Sequence, residues 1–287
     1  MKIIFSRKGF DSSYGGTPSP IFPDNRIVSI PIPDKDSPIK YENIKWQEFN
    51  LGYIVSLLTK NRIPSYYGAH IDPDLDNNSL PRVKGWRPVF GQMGQAQGHL
   101  RNENIKPGDI FLFFGLFRRI NFFSKEIRWD RKSRPMYVLW GWLQIDSILD
   151  VNEDVHKNIE KYLWLKYHPH LHKKKVKSNT LYIARKHLSF PNLEDKKYPG
   201  AGTFLHLSNH LILSDPLAER PTIWKLPLWF YPRNGKVPLT YHSKLDRWQK
   251  TKDGTKLEIV KRGQEFVLNT DDFPEAIEWI RNILKRA

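Results

Sequence analysis

The sequence predicts an α+β fold, with a curved, mainly antiparallel sheet and a few packed helices. Segments rich in aromatic and β-branched residues outnumber the helical patterns and do not alternate regularly with them. The 10 Trp, 12 Tyr and 16 Phe predict a folded core, because disordered chains are poor in aromatic residues. We expect residues 1–287 to form a single large domain, with a subdivision near residue 104 as the alternative.

The first half of the chain alternates short elements with turn-rich stretches. Residues 2–6 predict a strand, and a loop rich in glycine and serine follows at 9–16. Six prolines in residues 18–38 permit only short extended pieces. An apolar face predicts a helix at 44–60, and residues 64–107 are turn-rich. That helical face consists of Phe49, Tyr53, Leu57 and Leu58.

The second half is richer in strands and closes with a helix. The segment 110–117 is the strongest predicted strand, because it is almost continuously aromatic or aliphatic and follows a Gly-Asp turn. Further strands of similar composition are predicted at 136–145, 178–187, 203–213, 224–231 and 265–268. Asp272 and Glu275 have the spacing of a capping box before the last helix. Its apolar stripe consists of Phe273, Ala276, Ile277, Ile280 and Leu284.

Several classes of protein are excluded or disfavoured by composition. The chain has no cysteine, which excludes disulfides, thiolate zinc sites and cysteine nucleophiles. No Walker A, HExxH, GxSxG or kinase motif is present. The longest uncharged apolar stretch, 110–117, is far too short to span a bilayer. We expect a soluble, cytoplasmic protein that does not bind membranes.

Positive charge is concentrated in three segments. The net charge is +16, and residues 118–134, 156–177 and 244–262 have surpluses of five, six and four positive charges, so they contain 15 of the 16 excess charges. Such concentration favours a nucleic acid or another phosphate-bearing partner. The alternative is a basic protein with solvated lysine loops, whose charge serves solubility alone.

The first of these segments, 118–134, interleaves cations with aromatic rings, and we call it the basic arm. Guanidinium groups pair with phosphates, and aromatic faces stack on bases. The predicted phosphate-binding residues here are Arg118, Arg119, Arg128 and Arg131, and the predicted base-stacking residues are Phe122 and Trp129.

A second candidate site is the loop that follows the first strand. Arg7, Lys8 and Asp11 lie between serines and glycines, and glycine lets backbone N–H groups approach an anion closely. We expect Arg7 and Lys8 to bind phosphate and Asp11 to be a catalytic carboxylate. An ordinary turn is the alternative.

The most distinctive acidic motif is His70-Ile71-Asp72-Pro73-Asp74. In an extended backbone, residues two apart share a face, so His70, Asp72 and Asp74 can act together. Imidazole and carboxylate groups perform acid–base catalysis or bind a divalent metal. His70 and Asp72 are therefore predicted catalytic residues, and a divalent metal cofactor stays open. The alternative is a turn opened by Asp-Pro.

Two further segments contain histidines, and only the first is predicted to contribute to a functional site. In residues 92–99, the amide of Gln97 is a predicted base-binding group and His99 a predicted catalytic residue. His168, His170 and His172 have strand spacing, but three lysines follow them, so we interpret that segment as a solvated basic loop rather than a zinc site.

These motifs also carry a family resemblance. The sequence resembles the third family of nucleotide modification associated domains over nearly its whole length, in segments 6–16, 70–75, 90–100, 107–118, 198–204 and 263–267. The resemblance implies a role in base modification of DNA, especially in phages and bacteria, without naming a reaction. More weakly, residues 107–150 resemble PUA-like domains of the EVE and ASCH type, which implies a small barrel that binds modified bases or RNA.

Two functions follow from these observations. The first is a protein of a base-modification system that recognises or processes a modified nucleotide, with a slight preference for an enzyme. The second is a non-catalytic PUA-like reader of modified bases in DNA or RNA. Convergence of Asp11, His70 and Asp72 in one cleft favours the enzyme, whereas an aromatic pocket beside 108–118 favours the reader.

Overall fold

A mixed sheet forms the centre of the protein. The computed structural model describes residues 1–123, 126–173, 176–190, 193–260 and 265–285. Across these ranges no helix combines the length and apolar character needed to cross a membrane.

The regular elements are mostly short. In chain order the strands are β1 (Lys2–Arg7), β2 (Ser19–Ile21), β3 (Ile32–Pro33), β4 (Lys45–Trp46), β5 (Phe49–Asn50), β6 (Ala69–His70), β7 (Val89–Gln92), β8 (Ile110–Phe123), β9 (Glu126–Trp129), β10 (Met136–Asp150), β11 (Thr180–Ala184), β12 (His187–Phe190), β13 (Leu193–Pro199), β14 (Ala201–Thr203), β15 (Ile223–Leu226), β16 (Trp248–Thr251), β17 (Gly254–Glu258) and β18 (Glu265–Asn269).

Three α-helices and several single-turn helices complete the set. The α-helices are α1 (Leu51–Thr59), α2 (Gly94–Asn102) and α3 (Glu275–Leu284). The 3₁₀ segments are Tyr41–Asn43, His156–Leu165, Pro169–His172, Asn209–Leu211, Leu228–Phe230 and Leu245–Arg247, and a π-helical turn spans Val151–Val155.

The central sheet has the strand order β18-β1-β8-β10-β11-β7, with β2 and β9 on β8 and β14 on β10. Most of its pairs are antiparallel, as predicted, but β1 and β2 run parallel to β8. A parallel pair needs a long crossover, and the chain between β1 and β8 supplies one. The two ends of this strand order do not pair within the described residues, so the barrel that the PUA-like resemblance implies is not formed.

Helix α1 begins later than its sequence pattern predicts. Residues 45–50 form the hairpin β4–β5 instead, and the Asn50 side chain accepts a hydrogen bond from the N–H of Tyr53 to cap the helix. The buried face consists of Leu51, Gly52, Ile54, Val55, Leu58 and Thr59. Tyr53 and Leu57 are only half-buried, so the predicted face was rotated from the real one.

Helix α2 was not predicted, because residues 64–107 have the composition of a turn-rich region. Two glycines and several amides give this segment low helix propensity and little apolar periodicity. Burial of Gln97 and Leu100 stabilises the helix through tertiary contacts instead.

Helix α3 is present, but its predicted capping box is not. Asp272 accepts a hydrogen bond from Lys236, and Glu275 forms a bidentate pair with Arg233. The N-cap residue is Pro274, and no side chain caps the helix there. The acidic residues are therefore used between segments rather than within the helix.

The strand predicted at 203–213 is not formed beyond Thr203, and the one predicted at 224–231 is shorter than expected. Strand β14 ends at Thr203, and residues 204–213 contain a 3₁₀ turn and isolated bridges rather than a strand. Strand β15 ends before Pro227, which precedes the next 3₁₀ turn. Proline lacks the N–H that would continue the strand's ladder.

The apolar side chains form a main core and two smaller ones. The main core contains both faces of β8 and packs against α3, so Phe111, Phe113 and Phe114 are fully buried. A second core gathers Phe10 and Phe22 around α1, and a third joins Val89 to Val151. The carboxyl end of β1 leads from the main core into the loop of Phe10, and the candidate site opens there.

Candidate functional site: a histidine–aspartate cleft

A cleft of about 340 Å³ opens at the carboxyl end of β1. Its lining comes from five separate stretches, 7–14, 32–34, 70–72, 92–93 and 170–173. The predicted site residues in it are Arg7, Lys8, Asp11, His70 and Asp72, and the structure adds Asp34, His170 and Lys173. We call it the histidine–aspartate cleft.

Asp72 lies at the base of this cleft, with its side chain only 5% exposed. One oxygen, Oδ1, accepts a 2.7 Å hydrogen bond from the N–H of Gly91 and lies 3.5 Å from His168 Nε2. The other, Oδ2, lies 3.4 Å from His170 Nε2 and 3.9 Å from His70 Nε2. Burial raises the pKa of the Asp72 carboxyl, but His168 and His170 outweigh this effect and hold it well below its usual range.

His70 is oriented from its other side by a second carboxylate. Strand β6 pairs with β3, which brings His70 Nδ1 to 3.0 Å from Asp34 Oδ2. Lys173 donates to the same oxygen at 2.9 Å. Burial lowers the pKa of His70, and the two aspartates oppose this only in part, so the ring is neutral near pH 7.

Asp34 is itself a stable anion. Burial raises the pKa of its carboxyl, but hydrogen bonds from Lys173 and His70 lower that pKa to about 2. Asp34 therefore accepts hydrogen bonds across the physiological pH range, and it fixes the His70 ring in one orientation.

His168 and His170 are buried, so the interpretation of this segment as a solvated loop was wrong for them. The 3₁₀ turn that starts at Pro169 directs both rings towards Asp72. His170 Nδ1 lies 2.6 Å from Asn179 Oδ1, and Asn179 returns a hydrogen bond to the carbonyl of His170. Of the lysines that follow, Lys173 pairs with Asp34, and the next two lie outside the described residues.

Gly91 is required by the close packing of His170. A Cβ at position 91 would lie 2.6 Å from atoms of the His170 ring. The absence of a side chain therefore lets this imidazole lie against strand β7, from which the Gly91 N–H also reaches Asp72.

Three of these side chains have the arrangement of metal ligands. Ligand atoms of His70, Asp72 and His170 all lie within 4.8 Å of one another. Asp74 does not join them, although it belongs to the same sequence motif. Its carboxylate forms a bidentate pair with Arg82, at 2.7 Å for each bond, and also accepts from Trp86.

The other wall of the cleft is cationic. The Arg7 guanidinium lies 5.7 Å and 5.4 Å from the ring centres of Phe114 and Tyr137. Lys8 Nζ lies 3.2 Å from the buried carboxylate of Glu265, which also accepts a hydrogen bond from Gln92. Both predicted cations therefore line the cleft, but the charge of Lys8 is compensated by Glu265.

Asp11 lines the cleft, although its carboxylate is engaged in its own loop. Its Oδ1 accepts hydrogen bonds from the N–H groups of Ser13 (2.8 Å) and Tyr14 (2.7 Å). These hydrogen bonds form an ordinary turn, which was the alternative interpretation of this loop. A catalytic role for Asp11 stays a prediction.

Gln97 and His99 lie on α2 and are not among the residues that line this cleft. The Gln97 amide oxygen accepts a 2.8 Å hydrogen bond from the Tyr182 hydroxyl. His99 Nε2 lies 3.1 Å from Thr240 Oγ1, and its ring packs on Tyr241. Their predicted base-binding and catalytic roles stay predictions.

The basic arm lies outside the histidine–aspartate cleft and has partners of its own. Arg118 donates to the carbonyls of Ser133 and Asp130, and Arg119 to the Asn25 side chain. Arg128 is 68% exposed and pairs with Glu126, and Arg131 is exposed. Arg119 also lines a separate cleft of about 480 Å³. The other cations of that cleft are Lys132, Arg134 and Arg220.

The two rings of the arm that were predicted to stack on bases are partly buried. Phe122 packs against Phe22 and Phe49, with ring centres 5.5 Å and 5.3 Å away. Trp129 packs on the second core and under Arg118. Base stacking by either ring stays a prediction.

Sequence reasoning missed Asp34, His170 and Lys173 for different reasons. Asp34 lies in a proline-rich stretch with no motif around it. The regular spacing of His168 and His170 was a usable signal, but the neighbouring lysines argued against it. Lys173 does not repel a cation from the site, because it is paired with Asp34.

The fold and this cleft define an α+β protein in which a mixed sheet supports a buried histidine–aspartate cluster at its edge. The chain belongs to the nucleotide modification associated domain 3 family, whose sequence profile matches residues 2–269. The match confirms the predicted resemblance and spans every cleft residue named above. No curated protein and no solved structure matches the chain. The family's description associates the protein with nucleotide modification.

Proposed function

We propose that the protein is an enzyme that acts on a nucleotide within a nucleic acid, DNA in preference, at the histidine–aspartate cleft. The observation that carries this proposal is the convergence of three imidazoles on the buried carboxylate of Asp72. Burying a carboxylate is costly unless it is paired, and such clusters are characteristic of functional sites.

The lining of the cleft suits a reaction on a phosphate-bearing substrate. Asp72 and its imidazoles supply the donor atoms that activate water or a nucleotide group. Arg7 places a cationic group in the same cleft, where negative charge on a phosphate or in a transition state is stabilised. Lys8 and Lys173 add cations that are already paired with Glu265 and Asp34.

The basic arm supplies the second part of the proposal. Its arginines, Arg118, Arg119, Arg128 and Arg131, hold the phosphate backbone, while the separate histidine–aspartate cleft performs the chemistry. Contacts to phosphates position a protein without reading sequence. This division predicts that binding and turnover respond to different substitutions.

The reader function has less support from this geometry. The rings of Phe111, Phe113, Phe114 and Phe117 are fully buried in the main core, so they offer no stacking surface to a base. A small cavity of about 100 Å³ beside Trp46, Trp140 and Phe204 is the aromatic alternative. Asp72 also lines this cavity, so the cavity adjoins the histidine–aspartate cleft.

The test is to incubate the full chain with modified and unmodified DNA, with and without divalent metal, and to analyse the nucleosides by mass spectrometry. Asp72→Asn should lower turnover about 1,000-fold, within the range for loss of a catalytic acid or base, and leave DNA affinity nearly unchanged. Asp36→Asn, an exposed neighbour of Asp34, is the control and should behave as wild type. Binding without any change of nucleoside mass would support the reader instead.

A further inference from the structure

We propose that His70, Asp72 and His170 bind one divalent transition-metal ion, of the Zn²⁺ or Fe²⁺ class, through two imidazole Nε2 atoms and one carboxylate oxygen. This deepens the proposed function by naming a cofactor for the same cleft. A role of the ion in turnover rests on that function, whereas binding of the ion does not.

The first argument is the spacing of the ligand atoms. Nitrogen and oxygen ligands bind zinc at about 2.0–2.2 Å, so two ligand atoms at a tetrahedral angle are about 3.4 Å apart. The two imidazole Nε2 atoms lie 3.4 Å (His170) and 3.9 Å (His70) from Asp72 Oδ2. All three ligand atoms lie within 4.8 Å of one another. One ion can therefore contact all three after small side-chain adjustments.

The second argument is the state of the two imidazoles. His70 Nδ1 faces the carboxylate of Asp34, and His170 Nδ1 faces the side-chain oxygen of Asn179. Asn179 donates its amide N–H to the carbonyl of His170, which leaves its oxygen for the ring. Both rings therefore donate from Nδ1, and in their neutral form both direct an Nε2 lone pair towards Asp72. Metal-binding histidines are oriented by partners of this kind.

The third argument is that the two carboxylate oxygens of Asp72 have different partners. Oδ1 accepts from the Gly91 N–H and faces His168 Nε2. His168 Nδ1 accepts the N–H of His170, so its proton lies on Nε2, which is 3.5 Å from Oδ1, and His168 is therefore not one of the proposed ligands. Oδ2 faces only the Nε2 atoms of His70 and His170 among these groups. A shared cation holds a carboxylate oxygen and two imidazole nitrogens together, and a divalent ion supplies two charges where a proton supplies one.

The position of the cluster also suits a reactive ion rather than a structural one. The three ligands come from the protein and line an open cleft, which leaves further coordination positions for water or substrate. Two histidines and one carboxylate are a donor set that zinc and iron sites share.

The test measures metal binding directly. The full chain is treated with a chelator, and Zn²⁺ is titrated by calorimetry and Co²⁺ by visible absorption. We expect about one ion per chain and Co²⁺ bands of a site with nitrogen and oxygen ligands. His170→Ala should weaken binding by more than the about 10–100-fold that loss of an outer partner costs, and Asp34→Ala should fall within that range.

The matched control is His172→Ala, because His172 lies in the same 3₁₀ turn, is exposed and is not part of the cluster. It should bind the ion as wild type does. If His170→Ala fails to fold, His70→Gln at the rim of the cleft replaces it, and it should lose the ion with its melting temperature without metal unchanged. Failure of wild type to bind Zn²⁺ or Co²⁺ stoichiometrically, or equal binding by all variants, overturns the proposal.

The two proposals fail separately. Stoichiometric binding with no change in any nucleic acid retains the metal site and removes the enzyme. Turnover that persists after complete removal of metal retains the enzyme and removes the role of the ion in turnover, whereas a lack of stoichiometric binding removes the metal site itself.

Discussion

The histidine–aspartate cleft and the basic arm use charged side chains in opposite ways. In the cleft, Asp72 is almost fully buried and meets three imidazoles, His70 from its own motif and His168 and His170 from a distant part of the chain. In the arm, Arg128 and Arg131 are exposed, and the cations come from one continuous segment. The cleft was weakly visible in the sequence, whereas the arm was its most obvious feature.

This difference shows what each region is able to do. An exposed ion pair contributes little free energy and adjusts easily, so the arm acts through its total charge. A buried carboxylate tolerates few arrangements of its partners, so the cleft acts through geometry. We therefore expect cleft variants to show large effects from small changes, and arm variants to show graded effects from several changes together.

The largest expected effect concerns the free energy of unfolding and a buried histidine that lies outside the cleft. His242 is fully buried outside the cleft's histidine cluster, donates from Nδ1 to the Thr240 carbonyl and accepts at Nε2 from the Val260 N–H. Burial lowers the pKa of His242 to about 4, Thr240 opposes this, and Arg247 and Arg7 add to it. The native state therefore favours the neutral ring.

For that reason the free energy of unfolding should fall as the pH drops below about 6.5, by about 3 kcal/mol at pH 4 from this group alone. Denaturant unfolding between pH 7 and pH 4 measures this loss. His242→Gln, which still donates and accepts, should lose correspondingly less over the same range. Equal losses in both proteins would show that other groups control the acid sensitivity.

The second prediction tests the geometric character of the cleft without any change of charge. Gly91→Ala places a Cβ against the His170 ring and should displace it, and displacements of about 1 Å lower turnover about 100-fold. DNA affinity should stay within about twofold, because the basic arm is unchanged. The mass-spectrometric assay and a binding titration measure the two quantities.

Gly98→Ala is the matched control for this change. Its added Cβ has no atom within 4 Å, and it lies in α2. Turnover should be unchanged, and the helix should become more stable by up to about 1 kcal/mol. Wild-type turnover in Gly91→Ala would mean that the position of the His170 ring does not matter.

The smallest expected effect concerns the arm. Replacing Arg119, Arg128 and Arg131 together by Gln should weaken DNA binding about tenfold near physiological salt and make the log–log salt slope shallower by up to about 3. The loss should be similar for different sequences, and turnover at saturating DNA should not change. Titrations at several salt concentrations measure it.

The control for the arm removes three exposed cations elsewhere, Lys84, Arg101 and Lys285, again by Gln. It changes the net charge equally and should affect binding less. An equal loss in the two triple variants would show that the net charge, rather than the arm, attracts DNA.

Local sequence patterns predicted most of the central strands and helices α1 and α3, but not strand β7 or helix α2. Strands β1 and β18 were predicted to within one residue of their bounds, because continuous burial of apolar side chains leaves a strong signal. The start of β8 was also predicted, but the strand continues six residues beyond its predicted end. Helix α2 was missed because its stability comes from contacts of Gln97 and Leu100 with other segments. The capping box of α3 was predicted from spacing alone, but Asp272 and Glu275 found partners on another segment.

Some residues of the candidate site were likewise predictable from the sequence, and others were not. His70 and Asp72 were recognisable because they share a short extended motif, and the structure brings them together in one cleft. Asp74 belongs to that motif but pairs with Arg82. His168 and His170 were discounted because of the lysines beside them, although the side chains of these histidines point into the protein.

The sequence by itself determined the family, the excess positive charge, the absence of cysteine chemistry and the principal strands, since each of these depends on residue types or on short-range periodicity. Only the tertiary structure decided which carboxylate meets which imidazole. Asp34, Asp72 and His170 are far apart in the chain, and their contacts depend on strand pairing, on the 3₁₀ turn at Pro169 and on the missing side chain of Gly91. Burial makes such contacts strong, but which residues are buried together is a property of the whole packed chain.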